Sequence, residues 1–384
     1  MSAANPDLHA PAAAAPLEPV VAAATVSEPR SGDAAIRQGL ARLVRDEAIG
    51  RAQAVEIFRE IVRGSADPAQ IGALLVGLAI RGETAEVIAG AVAAMREAVI
   101  RVPCRADAID TCGTGGSGIA RRNVSTAVAL AVAACGVPVA KHGNRGISSP
   151  SGSADVLAQL GVDISAGPEA VARCVDRVGV GFLFAPGLHP AMKHAAAPRR
   201  ALGLRTLFNL IGPMTNPAGV RRQVIGVFDP RRCAAMAAAL GDLGGARVFV
   251  VHGFLAGHAA TEGGPPGIDD LSPEGESLVV EWRRGELRTH VLRPEHAGLS
   301  AAPVRGLAGE DPAGNAAALR RLLDGEAGPY RTSVQYSGAL ALLVAGEGEF
   351  AELPALAARI GAALDDGSAR RVLAELVACS RASG

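Results

Sequence analysis

Apolar residues recur at helical spacing through the first hundred residues of the chain. Asp67-Pro68 indicates a helix cap followed by proline at the first helical position, and Gly82 indicates the end of that helix. Thr84 can cap the next helix. The apolar positions of these two helices are Ile71, Leu74, Leu75 and Leu78, then Val87, Ile88, Ala91 and Met95. The pattern from Asp33 to about Ala98 predicts a module of about four helices.

After Pro103 the pattern changes to short apolar runs separated by alanine-rich helical stretches. The runs that we predict as strands are Val137–Ala140, Val180–Phe184, Thr206–Leu210, Val224–Phe228, Arg247–Val251, Leu278–Trp282 and Leu287–Leu292. This alternation predicts an α/β domain around a mixed, mostly parallel sheet. Several of the runs lead into polar, glycine-bearing segments, and ligands of such sheets gather beyond the carboxyl ends of the strands.

We therefore expect three parts in the chain. Residues 1–32 are rich in Ala and Pro and lack a basic leader, which predicts a disordered tail rather than a signal peptide. Residues 33–100 predict a small α-helical domain, and a helical segment at about 168–199 is expected to fold back onto it. Residues 101–167 and 200–384 predict a larger α/β domain.

Composition narrows the functional classes. The 384 residues carry 38 basic and 38 acidic side chains, a balance that argues against a nucleic-acid-binding protein. The six cysteines form no C-x-x-C pair, which favours reduced thiols. No apolar run approaches the roughly 20 residues of a membrane span. A cytoplasmic enzyme without a nucleic-acid or membrane partner is the expectation.

The neutral balance is unevenly distributed. Residues 111–154 contain no Asp or Glu, and the range from Arg177 to Phe228 contains none either. Both segments carry basic residues, and the first also carries glycines, which let a backbone approach a ligand closely. Such local basic segments in a neutral chain predict a small anion site, and phosphate is the ligand that we expect.

Two polar segments surround a predicted helix in the first acid-free range. Gly113, Gly115 and Gly118 match G-x-G-x-x-G, but the acid expected about 20 residues later in dinucleotide-binding folds is absent. Asn123 can cap the helix, with Ser125 and Thr126 in its first turn. An ordinary glycine turn and an ordinary capped helix are the structural alternatives to a phosphate site. The acid-free surroundings favour the phosphate site.

The second segment, residues 141–153, directly follows a predicted strand. Its sequence KHGNRGISSPSGS holds two cations, an imidazole, an amide and four serines. A surface loop could have this composition by chance. A loop so dense in anion-binding groups at the end of a strand favours a functional site.

Together these motifs resemble the anthranilate phosphoribosyltransferases, over about residues 40–375. The matching motifs are GTGG at 113–116, NVST at 123–126, KHGNR with the serines and SGSAD across 141–155, RRALGLRTLFNLIGPMTNPA at 199–218 and GETAEVIAGAVAAMRE at 82–97. The resemblance implies a nucleoside phosphorylase/phosphoribosyltransferase-like fold, in which a small helical domain and a larger α/β domain enclose the substrate cleft. It also implies a homodimer through the helical domain.

The resemblance implies the reaction and its ligands. The phosphoribosyl group of phosphoribosyl pyrophosphate would pass to the amine of anthranilate, releasing pyrophosphate, in tryptophan biosynthesis. The implied donor ligands are Gly113, Gly116, Ser117, Arg121, Asn123, Val124, Ser125, Thr126, Lys141, His142, Gly143, Asn144, Arg145, Gly146, Ile147, Ser148, Ser149 and Ser153. The implied anthranilate ligands are Gly113, Asn144 and Arg199, and Mg²⁺, as two ions, would use Ser125, Asp269 and Asp270.

Chemistry agrees with these roles without deciding between related reactions. A guanidinium such as that of Arg199 can bind the anthranilate carboxylate bidentately, and the Asn144 amide can orient the neighbouring amine. His142, and His189 as a weaker candidate, would line the acceptor site. The alternatives are a transferase or nucleoside phosphorylase of the same fold with another acceptor, a catalytically impaired paralogue, and a non-catalytic nucleic-acid-binding relative.

Several positions depart from the family pattern. Ser117 stands where the family commonly has Asp, Arg121 and Arg122 replace Thr and an apolar residue, and Asp270 replaces Glu. An extra Gly/Pro/Ala-rich loop lies at 254–267, and Thr332 and Ser337 stand where Asp and Asn are usual. Ser117 removes a carboxylate, Arg121 and Arg122 add cations, and Asp270 shortens a metal ligand. We hypothesise that this chain binds the donor phosphates more through arginine and less through metal than other members of the family do.

Overall fold

The computed structural model describes residues 34–146, 150–258 and 267–382. The predicted tail, three of the predicted donor ligands (Ile147, Ser148 and Ser149) and residues 259–266 of the extra loop lie outside these ranges. Within the described ranges, none of the helices has the length and apolarity that crossing a bilayer requires.

The N-terminal module consists of four helices, as predicted. They are α1 (Ala34–Val44), α2 (Arg51–Arg63), α3 (Pro68–Arg81) and α4 (Ala85–Glu97). The Asp67 carboxylate accepts a hydrogen bond from the Ala69 N–H at 2.8 Å, and the Thr84 hydroxyl accepts one from the Val87 N–H at 3.3 Å. All eight apolar positions predicted for α3 and α4 are buried. Caps and apolar spacing together therefore predict this module.

The Thr84 cap provides a local test of this description. Replacing Thr84 by Ala is expected to lower the free energy of unfolding by about 1 kcal/mol, because a first-turn N–H of α4 loses its acceptor. Urea denaturation measures the change, with Thr84→Ser as the control that keeps the hydroxyl. Equal losses in the two variants would contradict the assigned cap.

The second part of the chain is built on one eight-stranded sheet. Its strands are β1 (Ile109–Gly113), β2 (Val139–Gly143), β3 (Val180–Phe184), β4 (Arg222–Gly226), β5 (Arg247–Phe254), β6 (Gly267–Ile268), β7 (Ser277–Arg283) and β8 (Glu286–Leu292). The order is β3-β2-β1-β4-β5-β7-β8, with β6 also paired to β5. The first five strands of this order are parallel, and β6, β7 and β8 pair in antiparallel fashion. The prediction of a mixed, mostly parallel sheet is confirmed.

Eleven helices connect and surround the strands in the described part of the chain, and some of them cover the two faces of the sheet. They are α5 (Val124–Ala134), α6 (Ser153–Gln159), α7 (Pro168–Val178), α8 (Ala185–Leu188), α9 (Lys193–Leu202), α10 (Leu207–Ile211), α11 (Cys233–Asp242), α12 (Pro312–Leu323), α13 (Pro329–Ala345), α14 (Leu353–Asp365) and α15 (Ser368–Arg381). Val224 and Val251 pack with α5 and α13 on one face, whereas Ile225 and Val250 pack with α11 and the helical module on the other. This alternation follows from the two-residue period of a strand.

Two local elements differ from the sequence-based expectations. The run Thr206–Leu210 is not a strand: the side-chain oxygen of Asn209 accepts the Thr206 N–H at 2.9 Å and the chain enters the short helix α10. A five-residue apolar run does not distinguish the two structures. Strand β1 is absent from the predicted strands, because only Ile109 is strongly apolar within IDTCG.

The expected return of residues 168–199 to the helical domain is wrong for its first half. Helix α7 packs against β3 and α15, and β3 itself is the edge strand beside β2. Of the helices in this range, α9 is the one that packs against α2 and α3. Burial along the whole of Val180–Leu183 is typical of a parallel strand covered on both faces, which places it in the large domain.

Candidate active site

A cleft of about 640 Å³ lies beyond the carboxyl ends of β1 and β2. The loops that follow these strands form one side, and the 185–215 segment with Met95 of α4 forms the other. The described residues that were predicted as ligands and that line it are Gly113, Gly116, Ser117, Arg121, Asn123, Val124, Ser125, Lys141, His142, Gly143, Asn144, Arg145, Gly146, Ser153, Arg199, Asp269 and Asp270. Among the described predicted ligands, Thr126 alone is absent from the lining; it is buried in the first turn of α5.

The glycine loop after β1 is shaped by close backbone contacts. Gly115, Gly116 and Gly118 have φ values of 67°, 83° and 78°, a left-handed region that glycine adopts without strain. A Cβ on Gly113 would lie 2.6 Å from the Asp269 carboxylate, so a side chain there would displace that carboxylate. The Gly115 N–H donates to the same carboxylate at 2.7 Å. The loop therefore places its backbone directly along the cleft.

Helix α5 begins at the cleft, but Asn123 does not cap it through its side chain. The Asn123 carboxamide oxygen instead accepts a hydrogen bond from Asn315 at 3.2 Å, and the Asn123 carbonyl accepts one from the Tyr330 hydroxyl at 3.2 Å. The predicted cap is therefore correct in position and wrong in its bonding. The Val124 N–H donates to the Arg122 carbonyl at 2.9 Å, so the Ser125 and Thr126 N–H groups are the ones in the first turn that an anion could bind.

Lys141 is a buried cation at the centre of the site. Its ammonium donates to the Thr111 carbonyl at 2.6 Å and to the Ser125 hydroxyl at 3.2 Å. It thus connects β2, β1 and the start of α5. Only 2 % of the residue is exposed, so its charge acts at short range in a region that excludes water.

The loop after β2 is closed by Asp155, the first acid after the acid-free range. Its carboxylate accepts from the Gly146 N–H at 2.8 Å, the Gly152 N–H at 2.9 Å and the Arg145 guanidinium at 2.9 Å. The Ser153 hydroxyl donates to the Asn144 carbonyl at 3.3 Å. One carboxylate therefore holds both ends of the loop together, and Arg145 bonds to it.

His142 and His189 form a buried pair in the cleft wall. Their Nε2 atoms lie 3.2 Å apart, so one neutral ring donates and the other accepts. Burial, together with His189 and Lys141, lowers the pKa of His142 to about 3. Burial lowers the pKa of His189 to about 4. The structure therefore brings the weaker candidate His189 into the site beside His142.

We expect both imidazoles to remain neutral from about pH 5 to 8 in the folded protein. In the unfolded chain each imidazole has a pKa near 6.5. Between that value and the folded values of about 4 and about 3, the unfolded chain therefore binds more protons than the folded chain. The contribution of the neutral histidine pair to the free energy of unfolding is complete above about pH 6.5 and is lost as the pH falls through about 4 and about 3. NMR titration of the imidazole resonances measures this, with the urea-unfolded protein as the control. Protonation of either ring near pH 6.5 in the folded protein would contradict the pairing.

Sequence reasoning missed Asp110, which supports the site from below. One carboxylate oxygen accepts the His142 backbone N–H at 3.1 Å, and the other accepts from the Asn216 side-chain amide at 2.8 Å. Burial raises the pKa of Asp110 to about 6, although Lys141 and these hydrogen bonds oppose the rise. Its position directly before the acid-free range was the only available sign of its role.

Arg199 occupies the other wall of the cleft. Its guanidinium lies over the Phe208 ring at 5.4 Å from the centroid, and it has no acidic partner among the described residues. Burial lowers the pKa of Arg199. Gly113 and Asn144 line the same cavity. A half-buried guanidinium stacked on an aromatic ring can bind a carboxylate of an aromatic ligand.

Arg121 bridges the two carboxylates predicted to bind metal. Its guanidinium donates to Asp270 at 2.8 Å and, through its other terminal nitrogen, to Asp269. Burial favours a lower pKa for Arg121, but the two carboxylates outweigh it and raise the pKa. Burial raises the pKa of Asp270 to about 6, which Arg121 opposes. The structure therefore places Arg121 on the acids, and not in a free position facing the donor phosphates.

The chain matches family models over most of its length. Residues 105–370 match the glycosyl transferase family a/b domain, and residues 37–99 match the helical bundle domain of that family. The chain is 47 % identical over 342 residues to anthranilate phosphoribosyltransferase of Parvibaculum lavamentivorans, covering 89 % of this chain and 96 % of the relative. It is 44 % identical over 345 residues to that of Rhodopseudomonas palustris strain HaA2, covering 90 % and 98 %.

The chain belongs to the anthranilate phosphoribosyltransferase family.

Solved structures agree with this family assignment. Anthranilate phosphoribosyltransferase from Thermus thermophilus superposes with a TM-score of 0.81 at 43 % identity, covering 90 % of this chain and 99 % of that one. The Saccharomyces cerevisiae enzyme in complex with PRPP and Mg superposes with a TM-score of 0.78, covering 90 % and 97 %. The yeast protein is only 23 % identical, so this similarity supports the fold. The predicted fold class is confirmed.

The metal ligands that family membership implies fit Mg²⁺ only in part. Both Asp269 oxygens have donors, from Arg121 and from the Gly115 N–H, and Asp270 also bonds to Arg121. The described residues contain no group of three or more His, Cys, Asp or Glu side chains arranged for a metal. The acid pair therefore does not fit a divalent ion while Arg121 remains in place. The Ser125 hydroxyl remains suitable as an additional ligand to an ion held mainly by phosphate oxygens.

Proposed function

We propose that this enzyme transfers the phosphoribosyl group of phosphoribosyl pyrophosphate to the amine of anthranilate and releases pyrophosphate, as a step of tryptophan biosynthesis. The observation that carries the proposal is one cleft lined both by the two phosphate-type loops and by Arg199. The loops suit a polyphosphate donor, and the stacked guanidinium suits an aromatic carboxylate. A donor and an acceptor of these two kinds are the substrates of the reaction.

Backbone N–H groups and a buried cation would together bind the donor. The Gly113–Gly118 loop and the first turn of α5 would offer N–H groups to the pyrophosphate, and Lys141 would supply the buried charge. The 141–153 loop would hold the phosphoribosyl group. Arg122 lines the cleft, lies over the Tyr330 ring at 5.6 Å and has no acidic partner among the described residues. Of the two neighbouring arginines, Arg122 is therefore the better candidate for a donor phosphate.

Acceptor binding would place the anthranilate ring beside Phe208, with its carboxylate on Arg199. The Asn144 carboxamide would orient the amine, and the neutral His142–His189 pair would form the adjoining wall. Neutral imidazoles add no second cation that would compete with Arg199 for the carboxylate. This arrangement would fix the amine relative to the donor by contacts at both ends of the acceptor.

The proposed chemistry requires positioning rather than a protein nucleophile. The bond from the anomeric carbon to pyrophosphate breaks, the bond to the anthranilate nitrogen forms, and the amine loses a proton. Holding the two substrates in line can contribute about 7–11 kcal/mol of barrier reduction. Fixed N–H groups and Lys141 would stabilise the charge that develops on the departing pyrophosphate. Mg²⁺ carried on the pyrophosphate oxygens, with Ser125 as an additional ligand, would neutralise further charge when bound.

The direct test compares acceptors in one assay. Purified enzyme with phosphoribosyl pyrophosphate and Mg²⁺ should consume anthranilate, which its fluorescence reports. Substituted benzoates and nucleobases should react far more slowly, and nucleosides with inorganic phosphate should not be cleaved. Preferred turnover of a nucleobase or a nucleoside would favour the alternative of a same-fold enzyme with another acceptor. A folded protein that binds the donor without turnover would favour an impaired paralogue.

Two further expectations accompany the proposal. The protein would form a homodimer through the helical module, and it would act in the cytoplasm. Sedimentation equilibrium of the purified chain measures the first, and fractionation of the source cells measures the second. Neither property is needed for the cleft described above.

A further inference from the structure

The cleft contains an ion pair between Arg121 and the carboxylates of Asp269 and Asp270. The metal-binding role that the family implies for these two acids does not explain this pair. The side chains are 8 %, 10 % and 21 % exposed, so water screens their charges only weakly. One terminal nitrogen of Arg121 bonds to each carboxylate, so a single guanidinium bridges both. We propose that Arg121 takes the place of a divalent cation at this acid pair, leaving the enzyme to use only metal carried by its donor.

Backbone pairing fixes Arg121 in this position. Arg121 forms an antiparallel bridge with Ala308, and the Gly309 N–H donates to the Ala120 carbonyl at 3.1 Å. The Arg122 N–H donates to the Leu307 carbonyl at 2.8 Å. A Cβ on Gly309 would come within 2.7–2.9 Å of Arg121 backbone atoms, so this close approach depends on glycine. The guanidinium is therefore presented to the acids by a paired segment.

The acid pair is equally fixed. A Cβ on Gly226 would lie 1.8 Å from the Asp269 carbonyl oxygen, and one on Gly253 would lie 2.6 Å from the Asp270 carbonyl oxygen. Strands β4 and β5 thus bring their glycines against the backbone of the pair. Because the backbone is fixed on both sides of the ion pair, a metal ion bound to these two carboxylates requires the Arg121 side chain to move away.

Charge and coordination geometry distinguish the guanidinium from a metal ion at this acid pair. Two carboxylates and one guanidinium carry a net charge of −1, whereas the same carboxylates with Mg²⁺ would be neutral. Both Asp269 oxygens already accept hydrogen bonds, and Mg²⁺ needs oxygen lone pairs directed at it in octahedral geometry. Arg121 has a permanent charge that needs no free metal. The inference deepens the proposed function and rests on it, because metal carried by the donor contributes to catalysis only if the enzyme uses phosphoribosyl pyrophosphate.

Binding of Mn²⁺, measured by electron paramagnetic resonance without substrates, tests the inference independently of activity. The wild type should show no ion bound at the acid pair, so Asp270→Asn should leave the number of bound ions unchanged. Arg121→Thr should gain one Mn²⁺ per chain, and the double variant Arg121→Thr with Asp270→Asn should lose it again. Arg122→Ala, which removes the neighbouring arginine, should gain none.

Loss of a bound ion in the single Asp270→Asn variant would overturn the inference, because the wild-type pair would then hold metal. Equal binding by the wild type and a folded Arg121→Thr variant would also overturn it. If Arg121→Thr does not fold, the wild-type and Asp270→Asn measurement still decides. Failure of the anthranilate assay with unchanged Mn²⁺ results would count against the proposed function and leave the replacement of metal by Arg121 standing.

Discussion

Replacing Lys141 by methionine should lower kcat by about 100- to 1000-fold, the effect of removing one preorganised group that stabilises developing charge. The ammonium is buried and bonded to Thr111 and Ser125, so no solvent cation can take its place at the same distance. Methionine has a similar length and keeps the packing. Steady-state kinetics with both substrates measures the loss, and circular dichroism confirms that the fold is retained.

Lys193 provides the matched control because it is the other lysine of the chain and also lines the cleft. It is exposed, so water screens its charge. Lys193→Met should change kcat much less than Lys141→Met does. Similar losses in the two variants, or a Lys141→Met enzyme with nearly normal kcat, would contradict the role of a buried cation beside the leaving group.

Replacing Arg199 by alanine should raise KM for anthranilate by about 10- to 100-fold, since a charge-assisted hydrogen bond contributes about 1.5–3 kcal/mol. KM for phosphoribosyl pyrophosphate should change little. The Arg199 guanidinium lies over Phe208 on the acceptor side of the cleft. It has no acidic partner among the described residues, so its removal leaves no carboxylate unpaired there. Initial rates at varied concentrations of each substrate separate the two KM values.

Arg200 is the control for this prediction. It is the next residue of α9, it is exposed, and it does not line the cleft. Arg200→Ala should leave both KM values close to those of the wild type. Equal increases in the KM for anthranilate and for the donor in Arg199→Ala would show that Arg199 maintains the cleft as a whole and does not bind the acceptor.

Local chemistry accounts for the parts of the fold that were predictable. Apolar spacing with a cap at Asp67 or Thr84 determines a helix within a few residues, and both caps are present. Runs such as Val180–Phe184 are strands because every position is apolar and the sheet is covered on both faces. The same rule failed for Thr206–Leu210, where hydrogen bonds between Thr206 and Asn209 start a helix.

Sequence-based predictions at the site failed where contacts between residues far apart in the chain determine the structure. Strand β1 carries two buried polar side chains: the Asp110 carboxylate accepts the His142 backbone N–H, and the Thr111 hydroxyl donates to the Ser125 carbonyl. Such residues do not resemble a strand until the partners are known. Motif order indicated most of the cleft lining, including the loops around Lys141. It could not indicate that Arg121 would bond to Asp269, because about 150 residues separate them in the chain and only the fold joins them.

In each turnover the enzyme is expected to join the phosphoribosyl group of the donor to anthranilate and to release one pyrophosphate. Phosphorus NMR of the enzyme with phosphoribosyl pyrophosphate and Mg²⁺, recorded with and without anthranilate, measures this most directly. We expect pyrophosphate to form only when anthranilate is present, in an amount equal to the anthranilate consumed. Pyrophosphate formed at the same rate without anthranilate, or no pyrophosphate from a folded enzyme supplied with both substrates, would contradict the account.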